Sequence, residues 1–373
     1  MDLWSRSRKP VRSRGAGPDR ARPVVLHVVE SLGSGVATAL EDYVRSTPAY
    51  LHIVLGWRRS GAQTGDALDR ATARVLSLPR GRAAQFYAVH RWIRALRPDI
   101  VHAHSSYAGL YVRLAMPRCR GSVVYTPHGF AFERRDVSRL KRAVFWLAEA
   151  LCSLGGGQIA AVSPREAQLA RRLPGRLAVT YIPNVVRVDG QPFRVVDSRA
   201  GKERHLRVVT VGRISAQKDP TFLCRAARAT QDAPVRWIWI GGGKPADERA
   251  IRDAGVEVTG WLPRSLALSE LARADVYVHT AAWEGSPISV LEAAALGLPI
   301  VARRSPALSA LELPQLCETP EALGQRIRAL LDDDRRVELG TRCARLLEEH
   351  RPEAQESALE QAYRAASGRV QGR

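Results

Sequence analysis

The stretch from Asp275 to Ala302 constrains this chain more than any other. Asp275-Val276-Tyr277-Val278-His279 is apolar and β-rich. The loop Trp283-Glu284-Gly285-Ser286 follows, and then an Ala-rich segment, Pro287 to Leu296, of helical composition. Ser286 suits an N-cap and Pro287 the first helical position. Gly297 and Pro299 stop the helix. One carboxylate, Glu284, therefore sits in the loop, and a second, Glu292, two turns into the helix. Between them lie the free amides of a helix N-terminus, which attract an anion. A ligand made of hydroxyls, a diphosphate and further hydroxyls has the matching layout, and a nucleotide sugar is such a ligand. Without that context, two glutamates eight apart are ordinary solvated charges at a helix end.

The rest of the chain alternates strand and helix. Residues 23–30, 51–55, 74–78, 98–104, 123–126 and 159–162 read as strands, with helices at 83–96, 108–115 and 165–172. The pattern restarts with strands at 206–211, 237–240 and 256–262. This is an α/β chain of two Rossmann-like, doubly wound parallel sheets facing a cleft. The expected organisation is a disordered basic arm (1–22), a first domain (23–187), a linker (188–205), a second domain (206–350) and a C-terminal helix (351–373). Ligands of such sheets bind beyond the carboxyl ends of the strands.

Several candidate residues lie at those ends. Gly33 and Gly35 form Gly-x-Gly-x-x-Thr after the first strand, an incomplete dinucleotide fingerprint that argues against a Rossmann oxidoreductase. His102 and His104 share one strand face. With no third ligand close in sequence, they read as hydrogen-bonded histidines and not as a metal pair. His128 follows a strand directly, and Gly129 permits a tight turn after it. Arg213 and Lys218 follow the strand at 206–211, and two cations match a diphosphate by charge-assisted hydrogen bonding. The glycine turn at 241–243 lets a nucleobase or ribose approach the backbone.

Several of these segments resemble the retaining glycosyltransferases of family 4, which have the GT-B fold. They are Glu284-Gly285-Ser286-Pro287 with its helix and Gly297-Leu298-Pro299-Ile300-Val301-Ala302, Thr126-Pro127-His128-Gly129, Gly212-Arg213 with Lys218-Asp219-Pro220, Ala161-Val162-Ser163 and Ile182-Pro183-Asn184. The resemblance implies a nucleotide diphosphate sugar donor and an acceptor hydroxyl; with no carboxylate cluster to suggest a metal site and two cations able to neutralise a diphosphate, neither a metal nor a cofactor is expected. It implies that His128 lies near the transferred sugar and that Gly33 and Gly35 face the donor diphosphate and the acceptor. Arg213, Lys218 and the main chain of Gly285, Ser286, Pro287 and Ile288 would hold the diphosphate. Glu284 would hold the sugar hydroxyls, Glu292 the ribose, and the main chain at Leu262 the base. The family's mechanism keeps attack and departure on one face of the sugar, with no protein nucleophile. Where the family has a glycine-rich turn, this chain has Arg303-Arg304-Ser305-Pro306-Ala307. In GT-B proteins a final helix, here within 353–367, often crosses back to the first domain.

Charge is uneven. Residues 1–190 carry 30 of the 57 Lys and Arg but 13 of the 37 Asp and Glu. Such a half suits an anionic partner, namely a membrane face, a phosphorylated or lipid-linked acceptor, or a nucleic acid. An arginine-rich composition with solvated charges is the plain alternative. No nucleic-acid module is recognisable, so no nucleic acid is expected. Residues 133–153 read as a helix with five basic residues at its leading end and an apolar stripe of Leu140, Val144, Leu147 and Leu151. That pattern fits either an anionic membrane surface or packing on the domain. With no secretory pattern at the start and five scattered cysteines, the expected location is cytoplasmic, peripheral on the inner face of the cell membrane. The expected role is synthesis of a bacterial surface polysaccharide or glycolipid. The rival readings are an epimerase or inverting transferase of the same fold, a basic nucleic-acid-binding protein, and a noncatalytic sugar-nucleotide-binding subunit.

Overall fold

The structure is a computed structural model that describes residues 22–58, 66–117, 120–187 and 205–371. Almost all of the expected basic arm and linker, and Cys119, lie outside the described residues. Seven parallel strands form the first sheet. They are β1 (Val24–Leu32), β2 (Leu51–Arg58), β3 (Arg74–Ser77), β4 (Ile100–His104), β5 (Val123–Thr126), β6 (Gly157–Ala161) and β7 (Leu177–Tyr181), in the order β3-β2-β1-β4-β5-β6-β7. Six parallel strands form the second, namely β8 (Leu206–Val211), β9 (Val235–Ile240), β10 (Val256–Val258), β11 (Val276–His279), β12 (Ile300–Arg303) and β13 (Leu316–Cys317), in the order β10-β9-β8-β11-β12-β13. Helices cover both faces of each sheet, which is why the central strands are apolar runs and not alternations.

Strand order reverses between β1 and β4 in the first sheet and between β8 and β11 in the second. A crevice opens at the carboxyl edge of each reversal. Those two edges carry Gly33 and, in the second sheet, Arg213 and Glu284.

The helix Pro352–Gln371 packs on the first sheet although it follows the second in sequence. Its Leu359, Ala362, Tyr363 and Ala366 share one buried cluster with Val25 of β1, Ile100 of β4, Val124 of β5 and Ala160 of β6. Polar contacts fix its register there. Gln355 Nε2 donates to the Pro183 carbonyl (2.8 Å), and its Oε1 accepts from Ser46 Oγ (2.9 Å).

Some elements differ from the sequence reading. Strand β7 has a half-buried, mixed composition, the helix Asp66–Ala71 is six residues long, and β13 has two residues. Such elements carry too little periodicity to be read. The helix expected over 133–153 begins only at Arg139, because Ser138 caps it by accepting from the Lys141 amide (3.3 Å), and Ala131–Glu133 forms a separate 3-10 turn. Cys152, Cys317 and Cys343 are buried, whereas Cys224 is partly exposed.

Candidate active site

Loops from the two sheets meet at a pair of glycines. The loop after β5 contains His128, at φ +53°, and Gly129, at φ +94°. Only glycine takes the second conformation freely. Glu166 pins this loop by accepting from the Gly129 amide (2.6 Å) and from the Val162 amide (3.2 Å). The loop after β11 brings Gly285 against it. A Cβ on Gly285 would lie 2.7 Å from Gly129 N and 2.7 Å from the His128 carbonyl carbon. Neither partner atom belongs to a flexible side chain, so the two backbones touch with no room for a methyl group.

Beside this contact lies Glu284. Lys218 Nζ is 2.5 Å from its Oε1, Gln217 Nε2 donates to its Oε2 (3.3 Å), and His279 Nε2 lies 3.5 Å from Oε1. Burial alone would raise this carboxyl, but Lys218 and then His279 more than offset it and hold it at about 2. Glu284 is therefore ionised and can only accept hydrogen bonds. The Lys218 loop is stitched to the Glu284 loop, since Thr280 Oγ1 donates to the Lys218 carbonyl (2.7 Å) and the Ala282 amide to the Gln217 carbonyl (2.8 Å). Gly212, at φ +143°, leaves room for the lysine, since a Cβ there would lie 3.0 Å from Lys218 Cε. Arg303, where the family's glycine-rich turn was expected, pairs with Asp219 and covers the Phe222 ring at 4.6 Å. It thereby holds the N-cap of the next helix.

The helix Ile288–Ala295 has Pro287, not Ser286, as its N-cap. Serine capping is displaced because the Ser286 carbonyl is drawn toward the first sheet, where it accepts from Asn184 Nδ2 (3.0 Å). Ser286 Oγ is buried without a hydrogen-bond partner. Pro287 has no N–H, so it offers the cleft no donor. Glu292 is buried and ion-paired with Arg264 Nη1 (2.7 Å), which also donates to Thr38 Oγ1 (3.3 Å) on the first sheet's helix Ser34–Ser46. Burial raises the Glu292 carboxyl, and Arg264 opposes the rise.

The remaining expected residues are less tightly placed. Gly35 faces this helix, since a Cβ there would lie 3.9 Å from Ile288 Cδ1. Gly33 is extended, at φ −164°, and a Cβ there would meet nothing within 4 Å, so the backbone does not require glycine. Arg213 is exposed just past β8. Leu262 packs partly on the second sheet's core, while its neighbour Trp261, 59% exposed, lies against Gly242.

The first sheet contributes a buried array of histidines that sequence reasoning missed. His27 on β1 is the register partner of His102 on β4, and His104 lies two residues further along the same face. A third histidine distant in sequence joins His102 and His104, because His27, His102 and His104 have ring nitrogens within 4.8 Å of one another. All six nitrogens are nevertheless taken by hydrogen bonds. His102 binds Tyr363 Oη (2.9 Å) and Thr126 Oγ1 (2.8 Å), His27 binds His104 (3.0 Å) and His52 (3.0 Å), and His104 binds His128 (3.1 Å). Burial lowers all of these histidines, with neighbouring imidazoles adding to it at His27, His102 and His104, and it brings His128 to about 4. The period of two along β1 and β4 was the available signal for His27. His279, Gln217, Arg264 and Glu166 left no comparable mark in the sequence.

Paired doubly wound parallel sheets that converge on a shared cleft from their carboxyl edges are the architecture of GT-B glycosyltransferases. Family models confirm the class from sequence. "Glycosyl transferase 4-like domain" matches residues 34–185, and "Glycosyl transferases group 1" matches residues 205–333. The chain belongs to this glycosyltransferase family. It is similar to an uncharacterized 41.2 kDa protein in the cps region of Klebsiella pneumoniae, 22% identical over 74% of this chain and 80% of that protein. It is also similar to the UDP-Gal:alpha-D-GlcNAc-diphosphoundecaprenol alpha-1,3-galactosyltransferase of Escherichia coli, 27% identical over 57% of this chain and 60% of that protein. Among solved structures, Anabaena HepE in complex with UDP and glucose shares the fold, with a TM-score of 0.71 and 16% identity over 94% of this chain and all of that one.

Two outcomes follow from this geometry. Gly285→Ala must separate the two loops. Turnover with the enzyme's own donor should fall at least tenfold while the melting temperature shifts little, and unchanged turnover would contradict the contact. His102, held neutral in the fold, refuses a proton that the unfolded chain accepts below about pH 6.5, so its burial makes the fold less stable as pH falls. His102→Gln should therefore flatten the decline, by roughly 1 kcal/mol per pH unit below that value. Urea unfolding at pH 7.5 and 5.5 measures it, and equal declines in variant and wild type would contradict it.

Proposed function

We propose that the protein transfers a sugar from a nucleoside diphosphate sugar to an acceptor hydroxyl, with retention of anomeric configuration, during synthesis of a surface polysaccharide or glycolipid. One observation carries this reading: Lys218 and ionised Glu284 lie side by side where the helix Ile288–Ala295 begins, with Glu292 about one turn into that helix. The named activity of the Escherichia coli relative and the UDP and glucose bound to Anabaena HepE support it.

In this reading the donor diphosphate sits against Lys218, Arg213 and the amides of Gly285, Ser286 and Ile288. Negative charge grows on the leaving diphosphate as the glycosidic bond breaks, and fixed donors in a partly dry cleft stabilise it without reorganising. Glu284, an acceptor only, takes hydrogen bonds from sugar hydroxyls. Glu292 takes those of the ribose, with Arg264 oriented beside it. Lys218 bridges the first two tasks, because a cation already paired with Glu284 can also touch the phosphate nearest the sugar. The leaving phosphate accepts the proton of the acceptor hydroxyl on the face from which it departs, so no protein carboxylate acts as nucleophile. The donor binds without a metal, with cations and amides neutralising its charge. The acceptor is a lipid-linked or glycan hydroxyl.

A second observation extends the reading to a membrane. On the helix Arg139–Ser153 the stripe expected from sequence is outward, with Leu140 76%, Val144 56%, Leu147 51% and Leu151 58% exposed, and Trp146 beside them 46% exposed. Arg135, Arg139, Lys141 and Arg142 are exposed at the same end. An apolar face rimmed by cations fits the headgroup boundary of an anionic bilayer. Among the described residues, no helix is long and apolar enough to cross a membrane. We place the enzyme on the inner face of the cell membrane, where a lipid-linked acceptor would present its diphosphate.

Lys218→Ala removes one stabilising cation, so kcat should fall by about 10²–10³, and NMR of the product should show the anomeric configuration of the donor. An inverted product, or full turnover in the variant, would overturn the mechanism. The protein should sediment with phosphatidylglycerol vesicles at low salt, and Leu147→Asp should reduce the bound fraction severalfold. Wild-type protein that stays in the supernatant would remove the membrane from the account.

A further inference from the structure

The buried histidines form one continuous line. His52 Nε2 lies 2.9 Å from the Thr47 carbonyl oxygen, His52 Nδ1 lies 3.0 Å from His27 Nε2, His27 Nδ1 lies 3.0 Å from His104 Nε2, and His104 Nδ1 lies 3.1 Å from His128 Nε2. The line begins at the Thr47 carbonyl, some eighty residues away in sequence from His128, and ends in the loop that touches Gly285. Its first three imidazoles arise from strand geometry. His27 on β1 is two residues on from Val25, the register partner of His52 on β2, so His27 and His52 share a face, and His104 lies on that face of β4.

A neutral imidazole donates through one nitrogen and accepts through the other. The Thr47 carbonyl can only accept, so His52 Nε2 must carry the proton. The Thr47 hydroxyl, 3.3 Å from the same nitrogen, does not change this, because its own proton is given to the Tyr43 carbonyl (2.7 Å). His52 Nδ1 is then an acceptor and His27 Nε2 its donor. The same step repeats at His104 Nε2 and at His128 Nε2. Each link has one permitted direction.

We propose that this imidazole line, anchored on the Thr47 carbonyl, fixes the tautomer of His128 with the proton on Nε2, leaving Nδ1 as a standing hydrogen-bond acceptor. His52, His27 and His104 are thus positioning residues that act through His128. Burial keeps the line neutral, since all four histidines titrate below the usual range. The tautomer is independent of what the cleft binds. Its use rests on the nucleotide-sugar reading: an acceptor nitrogen at His128 calls for a ligand hydroxyl there and disfavours a carbonyl or ether oxygen. Sites built to bond a hydroxyl discriminate strongly against analogues that lack it.

The test is a long-range proton–nitrogen NMR experiment on the full chain labelled with ¹⁵N-histidine, at pH 7.5 and without ligand. The expected spectrum places His128 Nδ1 among unprotonated nitrogens and Nε2 among protonated ones, the assignment coming from His128→Gln. A wild-type spectrum with the proton on Nδ1, or with both nitrogens averaged, overturns the proposal. Two variants then test the direction of the line. His27→Gln keeps an acceptor for His104 and a donor for His52, so the His128 pattern should survive. His27→Leu breaks the line, so the pattern should average or reverse, and an unchanged spectrum in folded His27→Leu protein would show that His128 is set locally. Because the readout needs no donor, its failure is separate from failure of the transferase reading, which is judged on turnover.

Discussion

The close approach of Gly129 and Gly285 is the constraint on which the rest of the site depends. Two independently wound sheets have many ways to face each other, and side chains of ordinary size would hold their edges apart. Here each edge presents a glycine at the point of contact, so backbone meets backbone. Once these loops touch, His128 from one sheet and Glu284 from the other are separated by a single residue on each side. Arg264 reaching Thr38 and Asn184 reaching the Ser286 carbonyl hold the same arrangement further along the cleft. Glu166 anchors the contact on the first sheet's side, since its carboxylate ties the Gly129 amide of that loop to the Val162 amide just after β6.

Charge in the cleft is organised by pairing. Removing a carboxylate from water is costly unless a partner compensates. Glu284 has three polar neighbours and stays ionised, while Glu292 has Arg264 and is shifted upward by burial. The first is thus a permanent acceptor, and the second depends on its arginine. The histidines follow the opposite rule. None is compensated by a carboxylate within its own array, so the array remains neutral and its hydrogen bonds acquire a direction.

Much of the fold was legible because parallel strands buried on both faces are written as apolar runs, and because glycine and proline mark where they end. Segments 206–211 and 275–302 show this most clearly. The short edge elements β7 and β13 were not legible, since their residues are set by neighbours and not by any period. The candidate site could be drawn from sequence where local chemistry is concentrated, as at Glu284, Lys218 and His128, which lie on or beside the two loops that meet at Gly129 and Gly285. It was illegible where function depends on distant chain segments. Nothing near Arg264 announces Glu292, and nothing near Thr47 announces His128. The N-cap was misjudged by one residue for a tertiary reason, because Asn184 draws the Ser286 carbonyl across the cleft. The same holds for Arg303, whose departure from the family pattern becomes intelligible only beside Asp219.

The most direct measurement is a crystal structure of the protein soaked with a UDP-sugar. The account predicts a diphosphate between Lys218, Arg213 and the start of the helix Ile288–Ala295, with sugar hydroxyls on Glu284 and ribose hydroxyls on Glu292. A ligand bound elsewhere, touching none of Lys218, Glu284 and Glu292, would contradict it.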